Sequence, residues 1–191
     1  MPQPLPPLMS ISDKAQPAAA PLKGWPLLRL GFRPFYLGTA LLACLSVPLW
    51  IAIFLGHMQM QLEMPPLLWH GHEMLFGFAA GVVVGFLLTA VRAWTGLETA
   101  RGPLLGSLIL LWLAARVAAL VAPYPVFAAL DMALLPAAAA ILLRVLLKAG
   151  NKRNIPLISL LVLMAIANLA FHLSVLRATA GDTLEITLDN Q

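Results

Sequence analysis

Apolar residues in this chain fall into five long, nearly unbroken runs, at 37–56, 74–94, 103–122, 126–147 and 155–176. A helix rising ~1.5 Å per residue needs ~20 such residues to cross a hydrocarbon layer ~30 Å thick, and every run is of that length. The connections at 57–73, 95–102, 123–125 and 148–154 are too short to hold further domains. No stretch alternates apolar and polar with the period of two that a membrane barrel needs. The pattern predicts an all-α fold, a polytopic transmembrane helical bundle of five membrane helices over 29–176. Residues 1–28 are rich in proline and alanine and lack the basic start, apolar middle and cleavage site of a signal peptide. They are predicted to be a disordered cytoplasmic tail leading into an interfacial segment from Trp25 to Phe35. Pro34 suits the first turn of the first helix, where its missing N–H costs nothing. Residues 177–191 contain no apolar run and are predicted to form a short polar tail.

Composition strengthens this picture. Of 191 residues, 61% are hydrophobic and 10% charged, and the mean hydropathy is +0.88. A soluble domain is about 45–50% apolar and about 25% charged. The values exclude a soluble enzyme, a nucleic-acid binder and a disulfide-stapled secreted module. The single cysteine, Cys44, lies inside the first run and reads as a small lipid-facing or packing residue.

The formal charge of +4 is best read as topology, because the lysines and arginines sit between the runs. With the N-terminus in the cytoplasm, Lys14, Lys23, Arg29, Arg33, Arg92, Arg101, Arg144, Lys148, Lys152 and Arg153 all lie inside and only Arg177 outside. That bias is the signature of cytoplasmic loops. Trp25 and Trp94 then sit at the inner interface and Trp69 at the outer one, where indole rings prefer to be.

This orientation sends His57, His70, His72 and His172 to the same, outer side, together with Met58, Met60, Met64 and Met74. Imidazole suits copper and haem iron, and thioethers suit Cu(I). His57 reads equally as a solvated loop residue, and the methionines as interfacial packing. In Trp69-His-Gly-His-Glu-Met74 two designs are open. In extended chain His70 and His72 face the same way; on a helix they lie about 200° apart and cannot share one ion. If a helix begins near Trp69, His70 and Glu73 share a face with Gly77, Gly81 and Gly85, a bare-backbone stripe suited to a close helix or a flat macrocycle. In the last run Asn168 and His172 are four apart and share a face with Leu161 and Ala165.

Arg116 and Asp131 fall inside the third and fourth runs, ~7–9 Å below the outer end by helical rise. An unpaired charge there costs at least ~2.5 kcal/mol. The two runs are joined by a three-residue hairpin at 123–125, so they are antiparallel neighbours and pairing is the economical arrangement. Such a pair is structural, or it anchors a haem propionate through Arg116.

Several blocks resemble the NnrS family: Leu30-Gly-Phe-Arg-Pro-Phe-Tyr-Leu37, Trp69-His-Gly-His-Glu-Met-Leu-Phe-Gly77, Phe86-Leu-Leu-Thr-Ala-Val91 with Trp94-Thr-Gly, Asn151-Lys-Arg-Asn-Ile-Pro156, and Asn168-Leu-Ala-Phe-His172. The resemblance implies a multi-pass protein of the bacterial inner membrane carrying haem and copper. It also implies a part in nitric oxide metabolism, tolerance of nitrosative stress and denitrification, with nitric oxide as a ligand. Family members continue into a second set of helices, so self-association or a separate second half is an expected partnership, besides the lipid bilayer; no nucleic acid is expected.

The candidate ligands of haem or copper are His70, His72 and His172. His72 and His172 are separated by a depth of only ~6 Å at the helical rise, within reach of two imidazoles bracketing a haem or sharing a copper ion. Glu73 and Asn168 are placed to fix ring tautomer and orientation, with Arg116 and Asp131 paired nearby. The alternatives are a non-enzymatic copper-handling or accessory subunit, and a truncated family member lacking a complete cofactor site. Whether nitric oxide is turned over, bound or sensed is open at this level. The charge bias makes its own prediction. A periplasm-specific reporter fused after Gln191 is active, and a cytoplasmic reporter at the same point is silent; the reverse result inverts the topology.

Overall fold

The computed structural model describes residues 24–189, with side chains through 178. The helices are α1 (Phe32–Phe54), α2 (Pro66–Thr95), α3 (Pro103–Val121), α4 (Tyr124–Lys148) and α5 (Pro156–Asp189). Each contains a stretch long and apolar enough to cross a membrane. Among the described residues there is no strand. Most of the tail expected at 1–28 lies outside the described residues; its end forms a short 3-10 turn at Pro26–Leu28.

Three boundaries differ from expectation, each for a local reason. α1 starts at Phe32, so much of the interfacial segment is helical. The backbone N–H of Phe32 donates to Thr89 Oγ1 of α2 at 3.1 Å, which satisfies one of the free donors of its first turn. α2 starts at Pro66, eight residues before its apolar run. Proline at the first helical position needs no N–H partner and has its φ already set, so Pro66 starts a helix that carries Trp69, His70 and His72. The extended arrangement in which His70 and His72 face the same way therefore does not occur. α5 runs on through the polar stretch 177–191 as far as Asp189.

α2 is the axis of the bundle. It packs against α1 on one side and α4 on another, while α4 also packs against α3 and α5. Many of the largest apolar side chains, including Leu41, Leu45, Leu110, Val121 and Leu163, point outward and are exposed. In water such a surface would drive aggregation; facing hydrocarbon it is the solvated side. The interior holds a leucine-rich cluster around Leu88, Leu105, Leu142, Leu146 and Leu161.

The glycine stripe resolves as close helix packing and leaves no macrocycle face. A Cβ on Gly81 would stand 2.6 Å from Thr39 Cγ2, and one on Gly85 would stand 2.8 Å from Phe35 Cβ. Bare backbone at these positions lets α1 lie directly on α2. At the other end of α2, Gly96 adopts φ +69° and its N–H bonds Arg92 O at 2.9 Å, a left-handed cap that ends the helix.

Gly81→Ala and Gly85→Ala should each destabilise the bundle by about 1–3 kcal/mol, because the added methyl has no room. Gly71→Ala, where a Cβ meets nothing within 4 Å, should be neutral or stabilising by up to about 1 kcal/mol from helix propensity. Thermal or denaturant unfolding in detergent checks both signs.

Candidate metal centre

The apolar bundle buries six polar residues that meet in one network, none more than 6% exposed: His72 and Glu73 of α2, Arg116 of α3, Asp131 of α4, and Asn168 and His172 of α5. His72 and Glu73 lie where a seven-residue π-helical segment, Glu73–Ala79, is set between the α-helical parts of α2. A π turn widens the helix and offsets the faces on either side of it. His72 at its edge meets α4 and α5, while the adjacent Glu73 reaches α3.

Arg116 is the centre of charge. Its Nη1 donates to Glu73 Oε1 and Oε2, both at 3.0 Å, and its Nη2 donates to Asp131 Oδ1. The antiparallel pairing of Arg116 with Asp131 is thus present, with Glu73 as a second anion. Gly77 makes room for it, since a Cβ there would lie 2.9 Å from both Glu73 Oε2 and Leu42 Cδ2. Trp112 closes the far side by donating its indole N–H to Gly77 O at 2.9 Å.

The other oxygen of Asp131 gathers the histidines. Asp131 Oδ2 lies 3.2 Å from His72 Nε2 and 3.3 Å from His172 Nε2. Asn168 Nδ2 donates to the same oxygen at 2.6 Å, and Asn168 Oδ1 stands 3.1 Å from His72 Nε2. His172 Nδ1 is 2.9 Å from the Tyr124 hydroxyl, which holds the ring in place. One ligand atom from each of His72, Asp131 and His172 lies within 4.8 Å of the others.

These separations test the metal directly. Ligand atoms ~2.0–2.2 Å from one tetrahedral ion are about 3.3–3.6 Å apart. The distances from Asp131 Oδ2 to the two imidazole nitrogens, 3.2 and 3.3 Å, lie at the lower limit of that range, so these two pairs need widen only slightly to seat an ion. The donor set is of the same kind: two carboxyl groups and two imidazoles surround the single guanidinium of Arg116. His72 Nδ1, for its part, is buried without a hydrogen-bond partner among the described residues, its nearest carboxylate oxygen being Glu73 Oε1 at 3.6 Å.

A haem between the two imidazoles fails the same test. The His72 and His172 rings are 5.2 Å apart between centroids and tilted by 57°. Phe127 is edge-on to both rings at 5.2 and 5.3 Å, and Phe76 and Phe171 pack on His72 at 5.1 and 4.9 Å. The aromatic box packed on the two imidazoles leaves no slot for a porphyrin between them.

His70 is not part of this group. It sits on the α1 side of α2, stacked on Trp50 at 4.2 Å with 14° between planes. His57 and Met58 are exposed in the loop before α2. Met64 packs instead into a buried cluster with Trp69, Tyr124 and Phe127. Tyr124 was not singled out by sequence reasoning, although a signal existed: it lies seven residues before Asp131, two helical turns along one face.

The family can now be stated. A family model described as NnrS protein matches residues 26–188. The chain belongs to the NnrS family. Neither the curated proteins nor the solved structures compared with it gave a match. The matched region of this NnrS-family chain contains every residue of the buried network.

Removing one member of the charge triad should be worse than removing two. Arg116→Met strands two buried carboxylates and should cost about 3–5 kcal/mol of stability. Adding Asp131→Asn to it should recover part of that loss. Strictly additive effects in a double-mutant cycle would contradict the coupling.

Proposed function

We propose that this protein is a multi-pass membrane protein of nitric oxide metabolism that holds one copper ion at His72, Asp131 and His172. The observation that carries this reading is the placement of two imidazole nitrogens around one carboxylate oxygen, at 3.2 and 3.3 Å, inside an apolar bundle. Two imidazoles and a carboxylate suit a divalent first-row metal, and copper is the one that NnrS membership favours. Copper bound there supplies a centre able to take nitric oxide as a ligand and to exchange one electron. Haem is not assigned to this cluster, because the phenylalanine box leaves no room for it.

The chain's own residues perform the rest. Asp131 is pinned by Arg116 through one oxygen and offers the other to the ion. Tyr124 holds His172 at Nδ1 and so directs Nε2 inward. Asn168 donates its Nδ2–H to Asp131 Oδ2 and so orients that carboxylate. Phe76, Phe127 and Phe171 exclude water, and nitric oxide, a small neutral molecule soluble in apolar phases, reaches the site from the bilayer.

The basic residues between spans support a bacterial inner-membrane location with the N-terminus in the cytoplasm. On that topology the cluster lies on the periplasmic side, since Asp131 is seven residues into α4, ~10 Å below the helix end.

The test is metal content and copper electron paramagnetic resonance of the purified protein. Copper should bind at about one ion per chain, with nitrogen hyperfine structure from imidazole. His72→Ala, His172→Ala and Asp131→Asn should each lower metal affinity by at least about tenfold, while His70→Ala retains it. Copper retained by all three variants, or lost on His70→Ala alone, would overturn the assignment.

A further inference from the structure

A second site lies on the opposite side of the Arg116 guanidinium. Between α1 and α3 runs a groove of about 380 Å³, walled by side chains such as Leu41, Leu45 and Leu113 that are exposed on its outer edge. Its lining on α1 extends from Pro34 to Leu49, ~22 Å along the helix. The walls are almost wholly apolar, yet one end is not. There Ser46 Oγ, Trp69 Nε1 and Arg116 Nε are buried without hydrogen-bond partners among the described residues. All three residues line the groove, and each is at least nine-tenths buried.

An indole N–H and a guanidinium N–H only donate, and a serine hydroxyl donates readily. Three unused donors at the end of an apolar trough ask for a ligand with acceptor oxygens and an apolar tail. Depth then selects among lipids. Ser46 is eight residues from the end of α1, Arg116 five from the end of α3 and Trp69 three from the start of α2, so the polar end lies ~5–12 Å inside the helix ends. A phosphate headgroup does not descend into hydrocarbon, whereas a neutral carbonyl ring does.

We propose that this groove binds a membrane quinone, its carbonyl ring at Ser46, Trp69 and Arg116 and its isoprenoid tail along the leucines towards Pro34. The site is separate from the copper proposal, whose three ligands do not line the groove, and borders it through Glu73 and Arg116, which do; the Arg116 Nη atoms are taken by Glu73 and Asp131, and Nε has no hydrogen-bond partner among the described residues.

The experiment is equilibrium dialysis of decylubiquinone against the full chain in phosphatidylcholine nanodiscs, with empty nanodiscs as the partition control. Binding should be saturable at about one quinone per chain. Ser46→Ala, which removes one donor, should weaken it by about tenfold. Leu45→Trp, at a position 62% exposed and therefore tolerant of bulk, should abolish it by filling the groove. Metal content measured in the same samples should be unchanged by either substitution, so the failure of one proposal is distinguishable from that of the other. Uptake no greater than in empty nanodiscs would overturn the quinone site. So would saturable binding that both variants leave intact. A dimer that loses quinone binding and regains it on dissociation would assign the groove to a second copy of the chain.

Discussion

Everything at the centre of this bundle depends on one buried cation held between two anions. Glu73, Arg116 and Asp131 come from three different helices, and their hydrogen bonds set the rotation and depth of α2, α3 and α4 relative to one another. In hydrocarbon the alternative to pairing is an exposed charge, costing at least ~2.5 kcal/mol each. Apolar packing alone discriminates weakly between rotational settings of a leucine-covered helix, since lipid tails are as apolar as leucine. The charge triad therefore supplies specificity that the leucines do not. It also explains the missing side chain at Gly77, where a Cβ would meet Arg116 and Glu73.

Because Arg116 occupies only one oxygen of Asp131, the other is free to organise a second layer. Asn168, His72 and His172 all approach Oδ2, and Tyr124 supports His172 from behind. The network so formed sets two carboxyl groups and two imidazoles around one guanidinium, with both imidazole Nε2 atoms 3.2–3.3 Å from one carboxylate oxygen. An arrangement built purely for stability would pair its buried polar atoms. Among the described residues His72 Nδ1, on the Glu73 side of its ring, and Arg116 Nε, in a residue that lines the groove, both lack a hydrogen-bond partner. Stabilising geometry and binding geometry thus meet on a single guanidinium–carboxylate pair.

The number of helices, their approximate spans and the antiparallel hairpin carrying Arg116 and Asp131 were legible in the sequence. Hydrophobic length is a one-dimensional property that the bilayer thickness reads directly, and a three-residue connection leaves no freedom of direction. The facing of Asn168 with His172, and of Glu73 with the glycines, followed from helical periodicity. Helix starts were less legible, because Pro66 begins α2 ahead of its apolar run and length counting registers only the run.

Which helices are neighbours, and so which polar residues meet, was decided only in three dimensions. Periodicity assigns His172 to a face of its helix without saying that α4 and α2 lie against that face. It likewise cannot place Tyr124 behind His172, or hand His70 to Trp50 and thereby remove it from the cluster. The π segment has no compositional signature, yet it shifts the faces of α2 beyond Ala79 relative to His72. The sequence by itself determined that the chain is a five-helix apolar bundle containing a few costly polar groups. Only tertiary packing decided that those groups share one centre, because the partner of a buried charge is chosen by proximity in space and not by distance along the chain.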